Sequence, residues 1–103
     1  MTSEATEKRK VARWLTELGA FHAAYCPYPY GISGMPDRVA CFRGRFIAIE
    51  MKSPGKVPTQ LQSACIEAIG HAGGLAFYAT SLDEVKSRFY KAFPNLRPTP
   101  CKT

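Results

Sequence analysis

The stretch GMPDRVACFRGRFIAIEMKSPGK, residues 34–56, decides how this chain reads. It opens on a Gly-x-Pro-Asp loop, passes through two largely apolar segments, 37–42 and 45–52, and closes on Ser53-Pro54-Gly55-Lys56. Short apolar segments bounded by turn residues read as paired strands, and Arg43-Gly44 between them predicts a two-residue turn. That turn sets the register: Phe42 faces Arg45, Cys41 faces Phe46, Val39 faces Ala48, and Asp37 faces Glu50. Opposed side chains across such a pair have Cβ atoms about 4.5–5.5 Å apart. Two carboxylates so placed repel each other unless a cation lies between them, and a hard divalent ion with oxygen ligands suits the position. Alternation puts Phe46, Ala48, Glu50 and Lys52 on one face and leaves Ile47, Ile49 and Met51 for the core. Lys52 then stands beside Glu50, where an ammonium can orient a water or stabilise charge on a transferring phosphoryl group.

Outward from this hairpin the chain alternates simply. Toward the N-terminus, Thr2, Ser3 and Thr6 are candidate caps, Glu4 and Glu7 fall in the first turns, and Val11, Trp14, Leu15 and Leu18 recur at helical spacing before Gly19. This predicts a helix over 3–18, then a short strand over 21–26. Pro27, Pro29, Gly31 and Gly34 make 27–34 a loop, with Tyr25, Tyr28 and Tyr30 in or beside it. Toward the C-terminus, 53–58 is a loop and Thr59 with Gln62 fits a capping box. The helix that follows has Leu61, Ala64, Cys65, Ala68 and Ala72 as its expected buried stripe, and Gly73-Gly74 ends it. A strand over 75–79 and a third helix, capped by Ser81 with Leu82, Val85, Phe89 and Phe93 on one face, complete the pattern. The tail 94–103 carries Pro94, Pro98 and Pro100 and is expected to be a flexible appendage to a single domain over 1–93. The order α-β-β-β-α-β-α predicts an α/β fold with a mixed central sheet flanked by helices.

Composition narrows the class. The 103 residues are 46% hydrophobic, enough for one core and one domain, and a domain this small gains from dimerisation. No apolar run approaches the ~20 residues of a membrane span. The first ten residues are polar and charged, unlike a signal peptide, so a cytoplasmic location is expected. Cys26, Cys41, Cys65 and Cys101 are far apart with no Cys-x-x-Cys pair, and His22 and His71 are isolated. That pattern fits buried or semi-buried reduced thiols and argues against zinc and a disulfide framework. The net charge of +6 favours a polyanionic partner, nucleic acid before membrane. No Ser-His-Asp or Cys-His grouping offers a nucleophile.

Taken together, Gly34-Met35-Pro36-Asp37-Arg38, the twelve residues between Asp37 and Glu50, and Glu50-Met51-Lys52-Ser53-Pro54-Gly55-Lys56 resemble the PD-(D/E)XK nuclease pattern. More narrowly, they resemble the virus-type replication-repair nuclease (VRR-NUC) domain. Gln62 in the next helix, Gly73-Gly74 before a strand, and Ser81-Leu82-Asp83-Glu84-Val85 extend the likeness from Glu4 to about Val85. The resemblance implies a restriction-endonuclease-like αβββαβ core and a Mg2+-dependent DNA endonuclease, with Mn2+ able to substitute. It implies that Asp37, Glu50 and the carbonyl of Met51 hold the metal, that Lys52 assists, and that an acid of the first helix contributes. Glu4 and Glu7 compete for that last role, with spacing to Leu15 and Gly19 favouring Glu4. Gln62 is either a site residue or only the cap partner of Thr59. Stand-alone members of the family resemble Holliday-junction resolvases that act as homodimers on branched DNA, and a phage or prophage origin is implied in the same way. Arg38, Arg43, Arg45 and Lys56 are expected beside the site, where they could meet phosphates. Lys8, Arg9, Lys10 and Arg13 form a basic run, at least half of it a solvated face. Tyr28 and Tyr30 are candidates either for stacking on an unpaired base or for packing.

Overall fold

The computed structural model describes residues 3–26 and 31–98. Tyr28, Tyr30 and Cys101 lie outside the described residues. Seven elements follow in the expected order: α1 Glu4–Leu18, β1 Phe21–Ala24, β2 Arg38–Phe42, β3 Arg45–Met51, α2 Gln60–His71, β4 Leu75–Ala79 and α3 Leu82–Ala92. Their ends are set locally. The Ser3 hydroxyl accepts the Thr6 N–H at the start of α1, and Gly19 closes the helix in the left-handed region at φ 84°. Ser81 accepts the Glu84 N–H at the start of α3.

The sheet is mixed, in the order β1-β2-β3-β4. β1–β2 and β2–β3 are antiparallel, and β3–β4 is parallel, joined by the crossover through α2. The hairpin register is the one that the Arg43-Gly44 turn predicts, from Phe42↔Arg45 to Val39↔Ala48, with Arg38↔Ile49 as the last ladder pair. Both turn residues have positive φ, 50° at Arg43 and 76° at Gly44, which matches the twist of the flanking strands. The strands are shorter than expected at the end where they diverge: β1 stops at Ala24, β2 begins at Arg38 and β3 stops at Met51. Hydrogen bonding continues one step further. The Tyr25 N–H donates to Asp37 O at 2.8 Å, and the Lys52 N–H donates to Ala79 O at 2.9 Å.

α1 and α3 cover one face of the sheet. They pack on Ala40 and Phe42, on Ile47, Ile49 and Met51, and on Leu75, Phe77 and Ala79. Phe89 lies at the centre of this core, edge-on to Trp14 with ring centroids 5.0 Å apart, and Phe93 meets Phe42 at 5.1 Å. Leu96 is also buried in this core.

Among the described residues the helix on the opposite face is α2, which lies over β4. Here the expected buried stripe is corrected: Leu61 is 63% exposed, and Ala64, Ala68 and Ala72 are exposed as well. Period identifies an apolar side of a helix but not what covers it. Cys26 and Cys41 are exposed rather than buried, and Cys65 is half-buried; all three are free thiols. No helix among the described residues is long and apolar enough to cross a membrane.

Candidate active site

The chemistry-bearing groups gather at the end of the sheet where β2 starts and β3 finishes. Asp37 immediately precedes β2, and the next register position beyond Arg38↔Ile49 sets it opposite Glu50. Its Oδ2 accepts the Met51 N–H at 3.0 Å, so the carboxylate is tied to the end of β3. Glu50 is buried although it lies within the strand, and Lys52 Nζ sits 3.5 Å from its Oε2. The N-terminus of α1 closes the site from the side: Glu4 Oε1 accepts from Ser53 Oγ at 3.2 Å, and Glu4 Oε2 lies 3.2 Å from Lys8 Nζ. Lys8 Nζ also reaches to 3.6 Å from Asp37 Oδ2. Two carboxylates, a third at the rim and two ammonium groups thus converge from three separate parts of the chain.

The loop before Asp37 is positioned by a steric requirement at Gly34. This residue has φ +84°, and a Cβ there would lie 2.6 Å from the backbone C and O of Leu61. The loop is pressed against the first turn of α2, and only glycine permits both the approach and the dihedral. Pro36, fully buried, then delivers Asp37 to the sheet.

The electrostatics are those of crowded acids. Burial pushes the Asp37 carboxyl above its ordinary value; the Met51 N–H and Lys8 oppose the shift, and Glu4 adds to it. Burial also raises Glu50, followed by the negative charge of Asp37, against the pull of Lys52 and Lys8. Glu4 goes the other way: the hydrogen bond from Lys8 leads in holding it below the ordinary value. For Lys8, burial pulls downward, but Glu4, Asp37 and Glu50 outweigh it and the ammonium is held up. Asp37 and Glu50 therefore repel each other across a site that two lysines only partly neutralise.

Several expected residues stand elsewhere. Glu7 is 4% exposed and points to α3, where its Oε1 accepts the Leu82 N–H at 2.9 Å and its Oε2 meets Lys10 Nζ at 3.1 Å. Of the two competing acids on α1, Glu4 is the one beside Asp37, Lys52 and Ser53. Gln62 completes the capping box: its Oε1 accepts the Thr59 N–H at 2.9 Å while Thr59 Oγ1 accepts the Gln62 N–H at 3.2 Å. The expected proximity of Arg43 and Arg45 is corrected. Arg43 is in the hairpin turn and Arg45 directly follows it, and five steps of extended strand carry the chain from Arg45 to Glu50, about 17 Å. Arg43 lies over the Phe42 ring at 5.0 Å, and Arg45 donates to the carbonyl of Gly73. Arg38 is near the site but directed to His22, 2.9 Å from its Nδ1. Lys56 remains exposed on the loop after β3.

Lys8 and Ser53 are site residues that sequence reasoning missed. Lys8 stands four residues after Glu4, on the same helical face, and that spacing was the available signal. Among the described residues no group of three His, Cys, Asp or Glu side chains forms a metal cage. The donor set for a cation is two carboxylates with adjacent backbone, which matches the one or two carboxylates by which Mg2+ is commonly held while it keeps several waters. Comparison with protein-family models, curated proteins and solved structures gives no match.

Proposed function

We propose that this protein is a Mg2+-dependent endonuclease that hydrolyses DNA phosphodiesters, with a restriction-endonuclease-like core. The observation that carries the reading is the meeting of Asp37, Glu50, Lys52, Glu4 and Lys8 at one end of the sheet, with half-buried Asp37 set opposite buried Glu50. A purely structural site has no reason to set a half-buried carboxylate opposite a buried one, because the negative charge of Asp37 adds to the cost of ionising Glu50. Asp37 and Glu50 would hold the divalent ion, with the Met51 backbone alongside. When bound, such an ion supplies Lewis-acid polarisation and a more acidic water.

The side chains have separate tasks. Lys52, beside Glu50, would bring a positive charge to the scissile phosphate, where negative charge grows during hydrolysis. Lys8 keeps Glu4 ionised and braces Asp37, and Ser53 holds Glu4 toward the loop. Manganese is expected to substitute for magnesium, since the ligands are all oxygen.

The exposed apolar side of α2 supports a homodimer. Leu61, Ile32 and Phe46 stand around the small residues Ala64, Ala68 and Ala72 in a groove of about 540 Å3. Two copies bring two sites to two strands, which suits branched DNA such as a four-way junction. The test is cleavage of a labelled four-way junction beside a flap and a linear duplex, in magnesium, in EDTA, and with Asp37→Asn. Paired symmetric cuts that need both metal and Asp37 establish the junction-resolving reading. Metal-dependent cutting of flaps or duplex alone keeps the nuclease and removes the junction preference. Binding with no cutting leaves a catalytically silent nucleic-acid-binding module.

A further inference from the structure

At the outer edge of the sheet, past Glu50, a cleft of about 550 Å3 opens between the 53–58 loop, β4 and α3. Lys56, Val57, Tyr78, Thr80, Glu84 and Arg88 are among its lining. Tyr78 is the register partner of Glu50 on the neighbouring parallel strand. Adjacent strands lie about 4.8 Å apart, and paired residues leave the same face of the sheet, so Tyr78 is one strand away from the carboxylates. Although α2 packs on β4, Tyr78 is 44% exposed. Because β4 is the edge strand, groups from both faces of the sheet meet along its free side.

The cations here are prepared rather than paired. Arg88 lies over the ring of Phe77, with Cζ 4.8 Å from the centroid, which restrains the guanidinium at the cleft. Among the described residues neither Arg88 nor Lys56 makes an ion pair with a carboxylate. The one acid in the lining, Glu84, has its Oε1 engaged by the Thr80 N–H at 2.6 Å and the Thr80 hydroxyl at 3.0 Å. An exposed aromatic ring with two unpaired cations beside it is the combination that single-stranded nucleic acid uses, bases on the ring and phosphates on the cations. Core packing explains neither the exposed ring nor the unpaired charges.

We propose that this cleft takes an unpaired nucleotide of the cleaved strand next to the scissile phosphate, its base on Tyr78 and its flanking phosphates on Lys56 and Arg88. The assignment rests on the nuclease reading above. It makes Tyr78 and Arg88 positioning residues that favour a substrate with a single-stranded segment over an uninterrupted duplex.

The test is fluorescence anisotropy in EDTA with a labelled single-stranded oligonucleotide and a blunt duplex of the same sequence. Tyr78→Ala weakens single-strand binding about tenfold and leaves duplex binding within about twofold, while Tyr78→Phe keeps the wild-type affinity. Arg88→Ala lowers the slope of log affinity against log salt by about 0.7, the value for one phosphate contact on a single strand. Far-UV circular dichroism melts show that each variant is folded. If the wild type binds and cuts DNA while Tyr78→Ala and Arg88→Ala keep the wild-type single-strand affinity and salt slope, the cleft assignment falls and the nuclease stands. If the wild type neither binds nor cuts any DNA with magnesium, both fall together.

Discussion

Replacing Glu7 by alanine and Glu4 by glutamine separates the two acids of α1 by different readouts. Glu7 is 4% exposed and accepts the Leu82 N–H at 2.9 Å, a donor in the first turn of α3 that has no partner within its own helix. A hydrogen bond to an ionised acceptor contributes about 1.5–3 kcal/mol, and losing it leaves a donor short of a partner at the α1–α3 contact. The Lys10 arm is half in solvent and adds less than about 0.5 kcal/mol. A loss of about 2 kcal/mol follows for Glu7→Ala, which lowers Tm by about 8–16 °C in a domain of this size. The difference from the wild type should persist at high salt, because the bond that is lost is buried and weakly screened. Glu4 is partly exposed, and its pair with Lys8 is an i,i+4 contact of about 0.3–0.5 kcal/mol, so Glu4→Gln moves Tm by no more than about 4 °C. Under the proposed function Glu4→Gln lowers the cleavage rate, whereas Glu7→Ala, assayed well below its Tm, retains most of it. The assays are thermal unfolding followed by far-UV circular dichroism and initial rates of oligonucleotide cleavage. Equal Tm changes in the two variants, or a Glu7→Ala shift under about 3 °C, would refute the assignment of Glu7 to the helix–helix contact.

Three further outcomes follow from the same geometry. Gly34→Ala forces a Cβ to 2.6 Å from the Leu61 backbone at φ +84°, so it should cost about 2–4 kcal/mol and depress Tm and cleavage together; an unchanged Tm would show that the loop does not press on α2. Without metal, Asp37 and Glu50 have folded values above the ordinary 3.8 and 4.5, so the native state binds their protons more tightly and stability declines as pH rises through those raised values. Glu4 has the opposite sign and loses its small contribution as pH falls below 4.5. Asp37→Asn with Glu50→Gln should therefore raise Tm in EDTA at neutral pH, and magnesium at ten times its Kd should stabilise only the wild type, by about 1.4 kcal/mol or 6–11 °C. A double variant less stable than the wild type in EDTA contradicts the repulsion. Leu61→Arg, placed on the exposed apolar side of α2, should halve the mass seen by light scattering with little change in the monomer's fold; a wild type that is already monomeric removes the dimer from the reading.

The repulsion between Asp37 and Glu50 also marks where the fold departs from the requirements of stability alone. β3 is buried on both faces from Ile47 to Met51, and an apolar residue at position 50 would satisfy the same packing without desolvating a charge. Lys52 and Lys8 offset part of that cost but approach no closer than 3.5 Å to Glu50 and 3.6 Å to Asp37. On the proposed function, a divalent cation would offset the remaining cost. On the proposed function, replacing both acids by their amides should give a more stable but inactive protein, a trade expected wherever like charges are gathered for chemistry.

The order of elements, the hairpin register and the helix ends were legible in the sequence because each depends on residues only a few positions apart. Arg43-Gly44 dictates which residues face each other across β2 and β3, and Ser3, Thr59 and Ser81 cap their helices through bonds to the third residue beyond. That local information was enough to bring Asp37, Glu50 and Lys52 to one end of one hairpin. Tertiary structure decided the rest. Glu4 and Glu7 are only about 60° apart around α1, and the docking of that helix on the sheet and on α3 sends one to Asp37 and the other to Leu82. Lys8 joins the site by the same docking. The stripe on α2 was visible, but its exposure depends on how far a single helix can cover the second face of a four-stranded sheet. Arg43 and Arg45 are close to Glu50 in sequence and far from it in space, because an extended strand carries the chain about 3.3 Å with every residue. Hydrogen-bond patterns and periodicity act over a few residues. The placement of whole elements against one another is set by packing of the entire core, which no short stretch of the chain contains.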